Sequence, residues 1–95
     1  MGVSMDVKKS RLKKLRDQIS FIDEKIVSLL EERFSKTLLV GIYKKENNIE
    51  IENKEVENIK INNILEKDDL IYSIEIASIF KEIFRLSKKQ QENLM

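Results

Sequence analysis

The longest pattern in the sequence is an apolar stripe in the first half of the chain. Its members stand three or four residues apart with polar residues between them: Leu12, Leu15, Ile19, Ile22, Ile26 and Leu29. Because side chains at this spacing share one face of a helix, the pattern predicts a single helix over about residues 8–46. At the same steps the stripe continues through Arg33, Thr37, Val40 and Lys44. Two cations therefore occupy positions at which the pattern predicts core residues.

Arg33 and Lys44 are close to three helical turns apart, so they share a face at a separation of roughly 16 Å. An unpaired charge on a core-facing stripe is costly. One interpretation is a buried anion that both cations bind. The alternative is that the two side chains extend to solvent or pair with Glu57 and its neighbours.

The predicted first helix is too long to be covered by its own chain. At 1.5 Å per residue it would measure about 58 Å, whereas a compact globule of this size has a radius of gyration of about 12 Å. A second copy of the chain is the simplest cover, which predicts a homodimer. The alternative is a helix break near Gly41 and a monomeric bundle. Gly41 itself indicates either close helix packing or room for a ligand beside Lys44.

A connector and a second helix follow. Asn47 and Asn48 suit a turn within residues 46–52, and Ile49 and Ile51 are expected to anchor it to the core. Asn53 is a good N-cap for a helix of about 53–66.

Glu57, Ile61 and Ile64 fall on one face of this second helix, so a charge again stands in register with apolar residues. A solvated rim position is the alternative for Glu57.

A third helix is predicted over about residues 69–92, after the acidic stretch EKDD. Its stripe has six apolar members: Leu70, Ile74, Ala77, Phe80, Ile83 and Phe84. The next positions on the same face are Ser87 and Gln91. Their polarity indicates either a binding site or a helix that leaves the core. The fold class is therefore all-α, a three-helix chain with one very long N-terminal helix.

Composition limits the classes of function. The chain has 95 residues and a net charge of +1, so we expect one domain over 8–95 and no nucleic-acid or membrane partner. Residues 1–7 are expected to be disordered or additional to the domain. They lack the apolar core of a secretory signal, which predicts a cytoplasmic protein.

The sequence contains no Cys and no His. A thiol nucleophile is therefore absent, the usual general base is missing, and a structural zinc site is nearly excluded. Any enzymatic chemistry must run without these groups.

Four segments, in order, resemble the all-helical AroQ-type chorismate mutases. They are LRDQISFID (15–23), LLEERFSKTLLVGIYK (29–44), Glu57 and FKEIFRLSKKQQ (80–91). The resemblance covers roughly residues 12–92. It implies an intertwined homodimer with two active sites that converts chorismate to prephenate, at the branch leading to phenylalanine and tyrosine, without a metal or cofactor.

The resemblance also implies roles for individual residues. Arg33 would bind one substrate carboxylate, and Arg16 would reach in from the partner chain to bind the other. Lys44 would contact a carboxylate and the ether oxygen, which Gln91 would also contact. Independently, Arg16 lies about 100° around the helix from Arg33, so it should not face the same site within one straight helix. A partner's site or bulk solvent are the two places it could go.

Glu57 would meet the ring hydroxyl, and Asn53 and Ser87 would complete the pocket. Two positions depart from the family pattern: Asn53 stands where Asp is usual, and Val56 stands where Arg is usual. Asn keeps hydrogen-bonding capacity but loses the charge. The missing cation beside Glu57 is expected to weaken the binding of a dianion or to leave Glu57 differently oriented, which bears on catalytic efficiency and on the choice of substrate.

These residue types suit the chemistry that the resemblance implies. The rearrangement is intramolecular: a C–O bond breaks while a C–C bond forms, with no nucleophile or proton shuttle. The protein has to hold a flexible dianion in its reactive conformer and stabilise negative charge on the ether oxygen. Two other functions stay open, an isochorismate-pyruvate lyase on the same fold and a non-catalytic helical dimerisation or regulatory domain.

Overall fold

A computed structural model describes residues 5–94 of the chain. They form three helices, α1 (Met5–Glu46), α2 (Lys54–Leu65) and α3 (Ser73–Glu92), and these described residues contain no strand. The all-α prediction and the long N-terminal helix are confirmed. Of the segment predicted to be disordered or additional, residues 1–4 lie outside the described part, and 5–7 belong to α1.

Helix α1 is continuous through Gly41, so the predicted alternative of a break at this glycine is wrong. The helix ends where Asn48 adopts a positive φ of 55°, a conformation that asparagine tolerates better than most residues. The backbone N–H of Ile49 then donates to the carbonyl of Lys44 at 2.8 Å. The predicted turn is thus present, but Ile49 is exposed and does not anchor it.

Helix α2 starts as the sequence predicts. The Oδ1 atom of Asn53 accepts a hydrogen bond from the backbone N–H of Val56 at 3.2 Å. This bond satisfies one of the donors that the first turn of a helix leaves without a partner. Asn53 is therefore the N-cap of α2.

Helix α3 begins at Ser73, four residues later than predicted. The N–H of Leu70 donates to the carbonyl of Lys67 at 3.3 Å, so this backbone forms a turn rather than the first turn of a helix. Leu70 is consequently outside α3, and Ile74 is 73% exposed. The predicted stripe holds from Ala77 onward.

The chain divides into two compact units between Arg33 and Phe34. The second unit contains the end of α1 together with α2 and α3, and α2 packs against α3. Within the described chain, the buried apolar residues all lie on α3: Ala77, Ile83 and Phe84. Phe80 adds an edge-to-face ring contact with Phe84, with centroids 6.0 Å apart.

The described part of the first unit consists of α1 alone, and its apolar stripe is uncovered within one chain. Leu15 is 57% exposed, Ile19 55% and Leu29 64%. Across residues 5–94, no helix combines the length and the apolar character that a membrane span requires.

Candidate functional site

Gln91 is the most deeply buried of the predicted site residues, with 6% of its surface exposed. Its Nε2 atom donates to the backbone carbonyl of Thr37 on α1 at 2.7 Å. A carboxamide nitrogen carries two hydrogens, so this bond leaves one for a ligand. The polar end of Gln91 is thereby held in a fixed orientation at the face between α1 and α3.

Gly41 makes this approach of α3 to α1 possible. A β-carbon at position 41 would lie 2.7 Å from Cγ of Gln91 and 3.1 Å from Cδ1 of Leu94. The space beside Gly41 is therefore filled by two side chains of the same unit. Of the two interpretations of this glycine, close helix packing is confirmed.

A second glutamine reinforces the same contact. Gln90 Nε2 donates to the carbonyl of Phe34 at 3.1 Å, and the hydroxyl of Thr37 lies 3.0 Å from Gln90 Oε1. These bonds tie the C-terminal turns of α3 to α1 beside Gln91. The sequence predicts no role for Gln90 or Thr37, because a partner 53 residues away in the chain leaves no periodic signal.

Ser87 lies one turn before Gln91 on α3 and is also buried. Its hydroxyl donates to the carbonyl of Ile83 at 2.9 Å, the usual intrahelical acceptor for a helical serine. Because both polar side chains are buried, α3 does not leave the core at this point.

Lys44 lies near the end of α1 and is half-buried. Its Nζ atom donates to the carbonyl of Ile51 in the connector at 2.9 Å. An ammonium group has three hydrogens, so two remain beyond this bond. The carbonyl fixes where the charge lies without neutralising it.

Glu57 lies in the first turns of α2, half-buried, and its carboxylate pairs with Lys88 of α3 across 3.5 Å. The alternative that Lys44 pairs with Glu57 is therefore not what the structure contains. Lys88 also donates to Glu52 Oε1 at 3.1 Å. This bond raises the pKa of Lys88 above its ordinary value; partial burial opposes the shift, and the charge of Glu57 supports it.

Helices α2 and α3 line a cleft of about 390 Å³ in the second unit, a size within the range of small-molecule sites. Its walls combine apolar side chains with one carboxylate and three cations: Ile61, Phe84, Glu57, Lys81, Arg85 and Lys88. Carboxylates balance most of this positive charge, because Arg85 pairs with Glu82 and Lys88 pairs with Glu52 and Glu57. A larger recess of about 800 Å³ runs along α1 from Ser10 to Lys25, but one helix cannot enclose a ligand.

The two predicted carboxylate-binding arginines lie in the first unit. Arg16 is exposed. Arg33 is half-buried, and burial lowers the pKa of its guanidinium below the ordinary value. An arginine stays charged at neutral pH even so.

The family model of chorismate mutase type II matches residues 15–92 of the chain. The chain belongs to the chorismate mutase type II family. This match includes all seven predicted site residues: Arg16, Arg33, Lys44, Asn53, Glu57, Ser87 and Gln91. A search of curated proteins found no match to the sequence.

The chorismate mutase family is one of isomerases, and the polar groups described above fit a reaction without covalent catalysis. Within the second unit, the structure brings Lys44 to the connector, Glu57 to Lys88, and Gln91 to Thr37. In residues 5–94, no three His, Cys, Asp or Glu side chains are grouped so as to bind a metal.

One residue in contact with the predicted chorismate mutase site was missed from the sequence. Lys88 is flanked by Ser87 and lies three residues before Gln91, but it is one of many lysines in a chain that is 37% charged. Its position directly after a predicted pocket residue was the available signal. Its ion pairs with Glu52 and Glu57 and its partial burial distinguish it from its exposed neighbour Lys89.

Proposed function

We propose that the chain catalyses the rearrangement of chorismate to prephenate. The observation that carries this proposal is the buried carboxamide of Gln91, held on the carbonyl of Thr37 with a second N–H to offer. A neutral donor in a fixed orientation is what a developing oxyanion requires, and it donates at any ordinary pH. The family match over residues 15–92 supports the same reaction.

Lys44 and Gln91 are the proposed donors to the ether oxygen. As the C–O bond breaks, negative charge grows on this oxygen, and an ammonium and an amide N–H both stabilise it. A preorganised donor of this kind is typically worth about 3–4 kcal/mol in the transition state. Lys44 is held by Ile51 and Gln91 by Thr37, so neither donor needs to reorganise during the reaction.

Arg33 and Arg16 are the proposed binding groups for the two carboxylates of the substrate. The planar guanidinium matches a carboxylate through two parallel hydrogen bonds, which fixes orientation better than a lysine does. Holding both ends of the flexible dianion selects the compact conformer in which the reacting carbons meet. Partial burial of Arg33 supports its role, because a partly desolvated cation attracts an anionic ligand more strongly than a fully solvated one does.

The active form in this proposal is an intertwined homodimer in which Arg16 belongs to the partner's site. The exposed apolar stripe of α1 supports it: Leu15, Ile19 and Leu29 are each more than half exposed in one chain. Fully burying such a side chain is worth about 1.5–3 kcal/mol relative to full exposure, so covering the exposed part of each contributes roughly half of that, and a second copy supplies a matching face.

Glu57, Asn53 and Ser87 are the proposed contacts to the ring side of the substrate. Glu57 would accept a hydrogen bond from the ring hydroxyl. The amide of Asn53 caps α2 with its oxygen and retains its nitrogen for donation. In the cell, this reaction would serve phenylalanine and tyrosine synthesis in the cytoplasm.

Val56 favours one second candidate, an isochorismate-pyruvate lyase on the same fold. This residue precedes Glu57 and supplies no cation to α2, where the family usually has arginine. The related dianion isochorismate would then be cleaved to salicylate and pyruvate.

The deciding experiment supplies chorismate and isochorismate separately to the purified chain. Prephenate formed from chorismate supports the proposal, and salicylate plus pyruvate formed from isochorismate supports the lyase. If neither product forms and calorimetry detects no binding of either dianion, the chain is a non-catalytic helical domain.

A further inference from the structure

Lys88 connects three segments of the second unit. From α3, its ammonium lies 3.1 Å from Oε1 of Glu52 in the connector and 3.5 Å from Oε1 of Glu57 in α2. The side chains of Lys88 and Glu57 are 28% and 24% exposed. Ion pairs this sheltered are screened less by solvent than those on an open surface.

We infer that Lys88 is a positioning residue that orients the Glu57 carboxylate toward the ring hydroxyl of the substrate. This inference rests on the proposed function, in which Glu57 contacts that hydroxyl. Lys88 engages Oε1 of Glu57, and a carboxylate has a second oxygen that can accept another hydrogen bond. Holding one oxygen fixes the direction in which the other points.

The geometry selects Lys88 from the cations of the cleft. Among the described residues, it is the one cation within 4.0 Å of the Glu57 carboxylate. Arg85, in the same cleft, pairs instead with Glu82. Val56, the neighbour of Glu57, is apolar and partly exposed. The positive charge at Glu57 is therefore supplied across the cleft, from α3.

The backbone that carries Lys88 is held on both sides. Ser87 and Gln91 are buried, and Gln91 is bonded to α1. Glu52 holds the ammonium itself, and its hydrogen bond raises the pKa of Lys88 while the pKa of Glu52 is lowered. Lys88 thus stays charged at any pH at which the reaction would run, and its direction is set by two carboxylates.

The test measures kcat/KM for prephenate formation in Lys88→Met, Lys88→Arg and Glu57→Gln, and in the double variant Lys88→Met/Glu57→Gln. Lys88→Met keeps the aliphatic chain and removes the charge. We expect kcat/KM to fall about tenfold, the usual order for coupled neighbours, and Lys88→Arg to retain most activity. In the Glu57→Gln background, Lys88→Met should cause little further loss. Lys89→Met, the exposed neighbour with the same change of charge, is the matched control.

Three results would overturn the inference. Unchanged kcat/KM in Lys88→Met, with a lower melting temperature, would make Lys88 a structural link only. A full tenfold loss in the Glu57→Gln background would mean that Lys88 acts on the substrate directly. If the wild-type chain forms no prephenate, both the proposed function and the inference about Lys88 are overturned. If the wild type is active, the variants test the role of Lys88 alone.

Discussion

Gly41 and Gln91 lie so close that a β-carbon at position 41 would come within 2.7 Å of the Cγ atom of Gln91. A mid-helix glycine costs about 1 kcal/mol relative to alanine, yet α1 carries one here. The reason is the approach of α3, which puts the buried carboxamide of Gln91 against the carbonyl of Thr37. A packing position and a proposed catalytic donor are thus directly coupled.

Gly41→Ala is expected to impair activity more than stability. Overpacking costs about 1–3 kcal/mol, and the better helix propensity of alanine returns about 1 kcal/mol, so the net loss of unfolding free energy should be about 1 kcal/mol. Displacing Gln91 should lower kcat at least tenfold, since a misplacement of about 1 Å can cost a hundredfold. Kinetics and thermal melting measure the two effects.

The comparison variant for Gly41→Ala is the same change in a Gln91→Ala background. With the longer side chain removed, most of the clash disappears, and the additional loss of stability should shrink. Equal losses of stability in both backgrounds would disprove the coupling between these two residues.

Gln91→Glu is expected to make activity depend on pH. A carboxylate has no hydrogen to donate, so the variant should lose about 100-fold in kcat at neutral pH, the low end of the range for an oxyanion donor. Activity should return as the pH falls toward about 4–5, where carboxyl groups ordinarily titrate, because a protonated carboxyl donates again. Wild-type kcat should show no such rise across this window. A variant whose kcat does not rise relative to that of the wild type would exclude Gln91 as the donor.

The sequence predicted the elements well and their packing only partly. Apolar periodicity correctly predicted that α1 ends at Glu46, and Asn53 correctly predicted the start of α2, since both signals are local. The start of α3 was misjudged because Leu70 continued the apolar spacing although its backbone forms a turn. The spacing of Ser87 and Gln91 predicted a shared face, but burial depends on what packs there.

Contacts between distant segments were beyond what the sequence showed. Lys88 looks like any solvated lysine until α2 and the connector bring Glu57 and Glu52 to it. Gln90 similarly meets Phe34 only after α3 packs against α1. Neither pairing has a periodic or compositional signal, because each joins segments that are far apart in the chain.

Lys44→Ala is expected to lose most activity while the fold stays intact. Removing a charged donor from the proposed site should lower kcat by about 100- to 1,000-fold. The carbonyl of Ile51, freed of its partner, belongs to a half-buried residue of an otherwise exposed connector that water can reach, so the melting temperature should change little. Lys36→Ala, an exposed lysine of the same helix, is the control. Activity near wild type in Lys44→Ala would show that the site is misassigned.

Ile19→Asp is expected to disrupt the proposed dimer. Ile19 is 55% exposed in one chain, so in a monomer the change would cost no more than about 0.5 kcal/mol. In a dimer that buries the stripe, an unpaired carboxylate would be forced into an apolar interface, at a cost of several kcal/mol. Sedimentation measures the assembly. Ser28→Asp, on the opposite face of α1, should leave it unchanged, and equal behaviour of the two variants would remove the stripe from the interface.

Arg16→Ala and Arg33→Ala test whether each site is shared between two chains. Each variant alone should be nearly inactive, because every site lacks one of its two carboxylate-binding groups. When the two variants are mixed and their subunits exchange, half of the dimers should contain one chain of each kind. In each of these mixed dimers, one of the two sites should hold both arginines. About one quarter of wild-type activity should therefore return, as the symmetry of a twofold dimer requires. If mass spectrometry proves subunit exchange and activity still does not recover, Arg16 does not act in the partner's site.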